Sequence, residues 1–385
     1  MIAFSGSLRS RICPTERNFQ KQLIVTNAIF SWQRGRPQLW EKQMRKLLGF
    51  SVVAASLLSG GGTAFAQNME LVMSSWLPPR HPVVVNAMKP WAEEVEAVTE
   101  GRVSVRVLAS PLGAPPAHFD MARDGVADIT YGLHSFSQDD RFDASQVGQF
   151  SFLGDDAVSV SEAFYTVYTE DLGAAEDHAG THILGLFTHG PGVFHNAERP
   201  IETPDDFGGL KIRVPGGYTA TLIEDLGATP VFTSSTEVYE QLSRGVIDGA
   251  TFTKEALTAF NLTEDIAHSM TVPGGLYNTT WFLVMNEDKW QQISPEDQQA
   301  ISEISGLAFA KRVGDAWNNA DDAAEDEIAE AGIVTSPANQ EVLSAIQEVA
   351  NKAEQEWAVG LGTERDGLAA LERLRSMTGI QAAMN

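Results

Sequence analysis

Arg213 is the residue of this 385-residue chain whose surroundings most invite chemistry. It stands in Leu210-Lys211-Ile212-Arg213-Val214, between apolar neighbours, and the turn Pro215-Gly216-Gly217 follows it. A guanidinium buried in a strand needs a partner. Two partners compete. One is an acidic side chain of the same chain, with 51 Asp and Glu available. The other is the carboxylate of a ligand, gripped through parallel N–H···O bonds. Other patterns are weaker. His178 and His182 lie four apart, but no acidic residue completes a His-Glu-x-x-His zinc helix. Asp139-Asp140 and Asp205-Asp206 have the right types for acid–base work. The second pair sits in Thr203-Pro204-Asp205-Asp206-Phe207-Gly208-Gly209, whose order reads as a helix cap and turn. Beyond residue 66 there is no Gly-x-Gly-x-x-Gly, no Gly-Lys-Ser/Thr phosphate loop and no Gly-x-Ser-x-Gly. The residues on offer are suited to binding rather than to bond making.

The elements around Arg213 alternate between strand and helix. Leu71-Val72-Met73 reads as a strand entering a loop from Ser74 to Pro82. Val84, Met88, Trp91, Val95 and Val98 then recur at helical spacing, and Gly101 stops that helix. Val103, Val105 and Val107 alternate as a strand, a helix covers about 116–124, and Ala127 to Tyr131 is the next strand. The rhythm returns with strand 210–214, helix Thr219 to Leu226, strand 230–232, a helix opened by a Ser234-x-x-Glu237 capping box, and strand Val246 to Thr251. Such alternation predicts mainly parallel sheets covered by helices. The two regions also echo each other: Phe119 to Asp128 matches Tyr239 to Asp248, each an aromatic, an acid, then Gly-Val-x-Asp. This pattern predicts paired lobes. Farther on, Ser294-Pro295-Glu296 starts a helix that can run to Gly332, roughly 55 Å at about 1.5 Å per residue. Ser336-Pro337 starts another to about Trp357, and the acid-rich stretch 318–331 reads as a solvated face.

Charge is unevenly spread. The chain carries a net −24. Residues 1–66 hold nine basic and two acidic side chains, a net of +7, which leaves −31 for the rest. That acidity argues against nucleic acid as a partner. Met44-Arg45-Lys46, the apolar run Leu47 to Leu58 and Ala64-Phe65-Ala66 have the layout of a signal peptide, 44–66, with cleavage after Ala66. Residues 1–43 are then a doubtful extension. The single cysteine, Cys13, falls in it, so the exported part has no disulfide and no zinc-thiolate site.

Taken together, these segments resemble the substrate-binding proteins of tripartite ATP-independent periplasmic (TRAP) transporters, the DctP type. The carrying residues are Phe119 to Asp128, Pro204 to Gly216, Leu226-Gly227-Ala228-Thr229-Pro230-Val231, Glu237-Val238-Tyr239 with Gly245 to Gly249, and Phe282 to Asn286 with Lys289-Trp290. The resemblance implies an α/β, two-lobed periplasmic-binding-protein fold of type II-like form, with hinge strands and a long helix bracing both lobes. It places 69–190 with about 277–315 in one lobe, and 191–276 with about 316–385 in the other. It implies a periplasmic receptor, not an enzyme and without cofactor, that hands a small organic acid to the small and large subunits of an ion-driven permease. An ATP-driven importer, a sensory receptor or a secreted enzyme on a similar fold are the alternatives.

The family arginine falls on Arg213. Two departures stand out. Many relatives carry a second arginine near His189 to His195, where this chain has none. Phe252 stands where relatives often have asparagine. Both changes make the pocket less polar and leave room for a monocarboxylate with an apolar or aromatic body. Strand ends of open α/β sheets bind ligands, which adds Trp76, His81, Tyr131, His134, His189, Ser235, Tyr277 and Asn278 as cleft candidates. For Trp76 and Tyr131 the competing role is core packing. For the histidines it is plain surface polarity.

Overall fold

The structure is a computed structural model and describes residues 68–137 and 140–380. The expected signal segment, the extension before it and Cys13 lie outside these residues. Among the described residues eleven strands fall into two sheets. The first contains β1 (Met69–Ser74), β2 (Val103–Val107), β3 (Ile129–Leu133), β4 (Thr181–Thr188) and β10 (Thr280–Asn286) in the order β2-β1-β3-β10-β4. The second contains β5 (Val193–Asn196), β6 (Lys211–Val214), β7 (Thr229–Phe232), β8 (Gly249–Phe252), β9 (His268–Thr271) and β11 (Val334–Pro337), ordered β11-β9-β5-β8-β6-β7. Three strands in each sheet run parallel, β2-β1-β3 and β7-β6-β8, and each set is closed by an antiparallel strand.

The sequence echo is a structural one. Gly125 and Gly245 both end their helices at positive φ, 72° and 63°, where a residue without Cβ is unstrained. Asp128 then accepts the backbone N–H of Val72 through Oδ2 at 2.8 Å, and Asp248 accepts that of Lys211 in the same way at 2.8 Å. Each aspartate ties the incoming strand to its neighbour, so the motif repeats because the job repeats.

Three chain segments pass between the sheets: 189–192, 272–279 and the helix Leu307–Glu330. The first two run side by side. Gly192 donates its N–H to Tyr277 O at 2.9 Å, and Leu276 donates to Gly192 O at 3.1 Å. A Cβ on Gly192 would meet the Tyr277 ring and carbonyl, so only glycine fits. The helix Leu307–Glu330 packs against the helix Ala157–Glu170 and β4 on one side and the helix Lys254–Ala259 on the other. The two halves also touch directly, through the Ser135 hydroxyl donating to Pro215 O at 3.0 Å.

Several expectations need correction. The helix from 295 is two helices, Pro295–Glu303 and Leu307–Glu330. Gly306 breaks it at φ 58°, and its N–H is captured by Leu184 O of β4 at 2.7 Å. Ser336-Pro337 does not start a helix but ends β11, which pairs with β9; the next helix is capped by Asn339. The Ser234-Glu237 capping box does not form. The Ser234 hydroxyl bonds that of Thr236, while Glu237 accepts from the Thr233 hydroxyl. The face at 318–331 is not wholly solvated, since Asp321 and Ala324 are buried. Helix Gly367–Thr378, expected with the second lobe, packs on Ala157–Glu170 beside the first sheet.

Candidate functional site

The C-terminal ends of β1, β3, β6, β7 and β8 converge on a cavity between the sheets. From the first sheet come Trp76, Leu77 and His81 after β1, Leu133 and Phe136 around the end of β3, and Trp281 in β10. From the second come Arg213 and Pro215, Ser235, and Phe252, Thr253, Glu255 and Ala256 with Phe260. His189 and Tyr277 enter from the chain crossings and Trp317 from the long helix. Seven of the 18 lining residues are therefore Phe, Trp or Tyr. Trp76 stacks on Trp281 with centroids 5.4 Å apart and planes 5° apart. Phe252 stacks on Phe260 at 5.8 Å.

Arg213 is 2% exposed and meets no carboxylate among the described residues. The intramolecular salt bridge that the sequence left open is not what the fold builds. Its Nε donates to Thr233 O at 3.0 Å and its Nη1 to Thr251 O at 3.2 Å. Its Cζ lies 4.2 Å from the centroid of Phe252. These neutral contacts fix the plane of the guanidinium and leave Nη2 without a partner among the described residues. Desolvation lowers its pKa to about 10, so the group remains a cation at neutral pH. An uncompensated buried cation facing a cavity calls for an anion.

A second polar cluster closes the same cavity. Glu255 is 3% exposed. Its Oε1 accepts from Trp317 Nε1 at 3.0 Å and lies 3.4 Å from His81 Nε2, and its Oε2 accepts from the Thr253 hydroxyl. Burial works to raise the Glu255 pKa, but the hydrogen bond and charge of His81, with Thr253 and Trp317, hold it below the ordinary value. Asp321 accepts the Glu255 backbone N–H at 2.9 Å. Burial, and then the charge of Glu255, push its carboxyl well above the usual range. The two neighbouring carboxyl groups are thus pushed in opposite directions, Glu255 toward the ionised form and Asp321 toward the protonated one.

Seven of the ten candidates line the cavity: Trp76, His81, His189, Arg213, Ser235, Phe252 and Tyr277. Three do not. Tyr131 stands behind Trp76, its carbonyl accepting from Trp76 Nε1 at 3.0 Å and its hydroxyl bonding Ser75 Oγ at 2.6 Å. It positions the loop after β1 from behind. His134 opens the 3-10 turn His134–Phe136 that follows β3 and is turned away from the cavity, which Leu133 and Phe136 line. It packs instead against Phe142, Tyr168 and Phe282, with its Nε2 3.1 Å from that of His178. Asn278 staples the crossing: with its nitrogen turned to the chain it donates to His189 O and Gly190 O, each at 3.0 Å. Sequence reasoning missed Glu255, Trp281 and Trp317. Glu255 was within reach, three residues beyond the chosen Phe252 at the same strand end. Trp317 is one apolar position in an amphipathic helix and carries no signal of its own.

Comparisons with known proteins place this geometry. Residues 73–359 match the model of the bacterial extracellular solute-binding protein family 7, DctP. The chain is similar to a TRAP periplasmic solute-binding protein from Bordetella bronchiseptica solved with bound (R)- and (S)-mandelate. Identity is 37%, coverage 82% of this chain and 99% of that one, and the TM-score 0.78. It is similar to a marine metagenome TRAP protein specific for aromatic acids, in complex with 3-hydroxybenzoate, at 29% identity, 81% and 98% coverage and a TM-score of 0.75. Among curated proteins, the outer membrane transporter protein TsaT of Comamonas testosteroni is 30% identical over 89% of this chain and 98% of its own length.

Proposed function

The chain belongs to the DctP family of TRAP solute-binding proteins, and we propose that it captures a small aromatic monocarboxylate between its two sheets. The family and these relatives are binding and transport proteins, not enzymes. The observation that carries the ligand class is Arg213. It is the buried cation facing the cavity, held by two carbonyls and an aromatic face, with no internal anion to neutralise it. The ligand carboxylate takes that place. Its ring lies among Trp76, Trp281 and Phe252, where apolar burial and edge or face contacts favour an aromatic body. No second arginine lines the cavity, so a second carboxylate would be desolvated without a partner beside the ionised Glu255. The aromatic acids bound by the Bordetella and marine relatives support this reading.

The loaded receptor then docks on the small and large permease subunits at the periplasmic face of the membrane. The family supports this setting. A thermal-shift screen over aliphatic, aromatic and C4-dicarboxylic acids tests the ligand class, because a ligand of the native state raises the midpoint. Aryl monocarboxylates should give the largest rise. A larger rise with a C4-dicarboxylate would overturn the proposal.

A further inference from the structure

His189 is a buried side chain with one nitrogen committed and one not. Its Nδ1 is paired with Gly190 O, and a carbonyl can only accept. Nδ1 therefore carries the proton. The ring is 6% exposed, and burial lowers its pKa to about 4. At neutral pH it is the neutral Nδ1–H tautomer, which leaves a bare lone pair on Nε2. No described residue donates to that nitrogen, yet His189 lines the cavity. Asn278 fixes the arrangement, since its amide holds the same Gly190 carbonyl and that of His189. The ring edge meets Tyr277 at 5.4 Å and 90°.

We propose that His189 Nε2 accepts a hydrogen bond from a hydroxyl beside the ligand carboxylate, so that the receptor selects aryl 2-hydroxy acids over their deoxy counterparts. This rests on the reading that Arg213 anchors the carboxylate. A carboxylate and an aromatic ring offer no donor to Nε2, so neither satisfies it. The hydroxyl belongs near the carboxylate end because His189 abuts Tyr277, and both residues lie within electrostatic reach of Arg213. The expected selectivity is about tenfold to a hundredfold, the usual effect of leaving one buried hydrogen-bonding group unpaired.

The test is calorimetric titration of the mature protein with four probes. Mandelate and phenylacetate differ only in the hydroxyl. O-methylmandelate keeps that oxygen but loses its proton, and methyl mandelate loses the carboxylate charge. Mandelate should bind about 10- to 100-fold more tightly than phenylacetate, with O-methylmandelate no better than phenylacetate. His189→Phe should erase the preference, bringing the ratio of mandelate to phenylacetate affinity to about one, and a cooperative thermal melt shows that the variant is folded. Equal affinities for mandelate and phenylacetate in the wild type would overturn the role of His189 while the carboxylate reading stands. Binding of methyl mandelate as tightly as mandelate would overturn the carboxylate reading and this inference with it. Should His189→Phe fail to fold, long-range ¹⁵N spectra of the wild type decide. The unprotonated His189 nitrogen should shift with mandelate and not with phenylacetate, and a protonated Nε2 would refute the assignment.

Discussion

Arg213→Met separates a ligand anchor from a structural arginine, because the two roles predict opposite pairs of results. The substitution keeps an unbranched apolar stem and removes the charge. In the ligand-free protein the charge is a burden. Lowering the arginine pKa from 12.5 to about 10 corresponds to about 3 kcal/mol of destabilisation. That cost is present at every pH below about 10 and is relieved only as pH rises beyond it. Against it stand two hydrogen bonds to Thr233 O and Thr251 O, about 1 kcal/mol each. The contact with Phe252 adds about 1–2 kcal/mol. The terms nearly cancel, so the melting temperature should move by no more than about 2–4 °C. With ligand the balance reverses. An aryl carboxylate buried without its cation loses about 2–5 kcal/mol of affinity, roughly 30-fold to 4,000-fold in Kd. Differential scanning calorimetry without ligand and isothermal titration with mandelate give both numbers. A large drop in stability with unchanged affinity would refute the reasoning and make Arg213 a structural strut.

Three further outcomes follow from the same site. Asp321 has a raised carboxyl pKa, so its contribution to stability is fully present below the ordinary carboxylate range and is lost as pH rises through the raised value. Asp321→Asn retains the acceptor for Glu255 N–H and should flatten that decline in denaturant titrations run upward from the ordinary carboxylate range; an unaltered slope assigns the decline elsewhere. Gly192→Ala would set a methyl group 2.7 Å from Tyr277 O and cost about 1–3 kcal/mol or more, read from the urea midpoint; a wild-type midpoint would mean that the crossing yields. Phe252→Asn removes an apolar wall and should weaken aryl acids by about 1–2 kcal/mol relative to C4-dicarboxylates; an unchanged ratio would remove Phe252 from ligand discrimination.

The sheets were legible because their strands carry short-range signals. The glycine after each repeat helix and the aspartate three residues later specify the same strand junction twice, and the structure shows both performing it. Arg213 was legible because a cation amid apolar strand residues is expensive. The misses have a common origin in contacts remote along the chain. His134 sits at a strand end as expected, but the face it takes depends on a pocket built by Phe142, Tyr168 and Phe282. The helix broken at Gly306 looked continuous because its apolar period survives the break, while the capture of its backbone by Leu184 O comes from a strand 122 positions away. Glu255 and Trp317 meet across 62 positions, and nothing local to either announces the other.

The crossing of 189–192 with 272–279 also has a mechanical meaning. Turning one sheet against the other would have to bend these two segments and the helix Leu307–Glu330, so His189 and Tyr277, which lie on the segments, would move little. A contact that moves little is nearly indifferent to how far the halves have swung, and it does little work on them. His81 with Glu255, and Ser135 with the Pro215 carbonyl, join the two halves outside these crossings. Recognition and shutting thus fall to different residues. Changes at the crossings alter which acid is held; changes outside them alter how firmly the jaws stay closed around it.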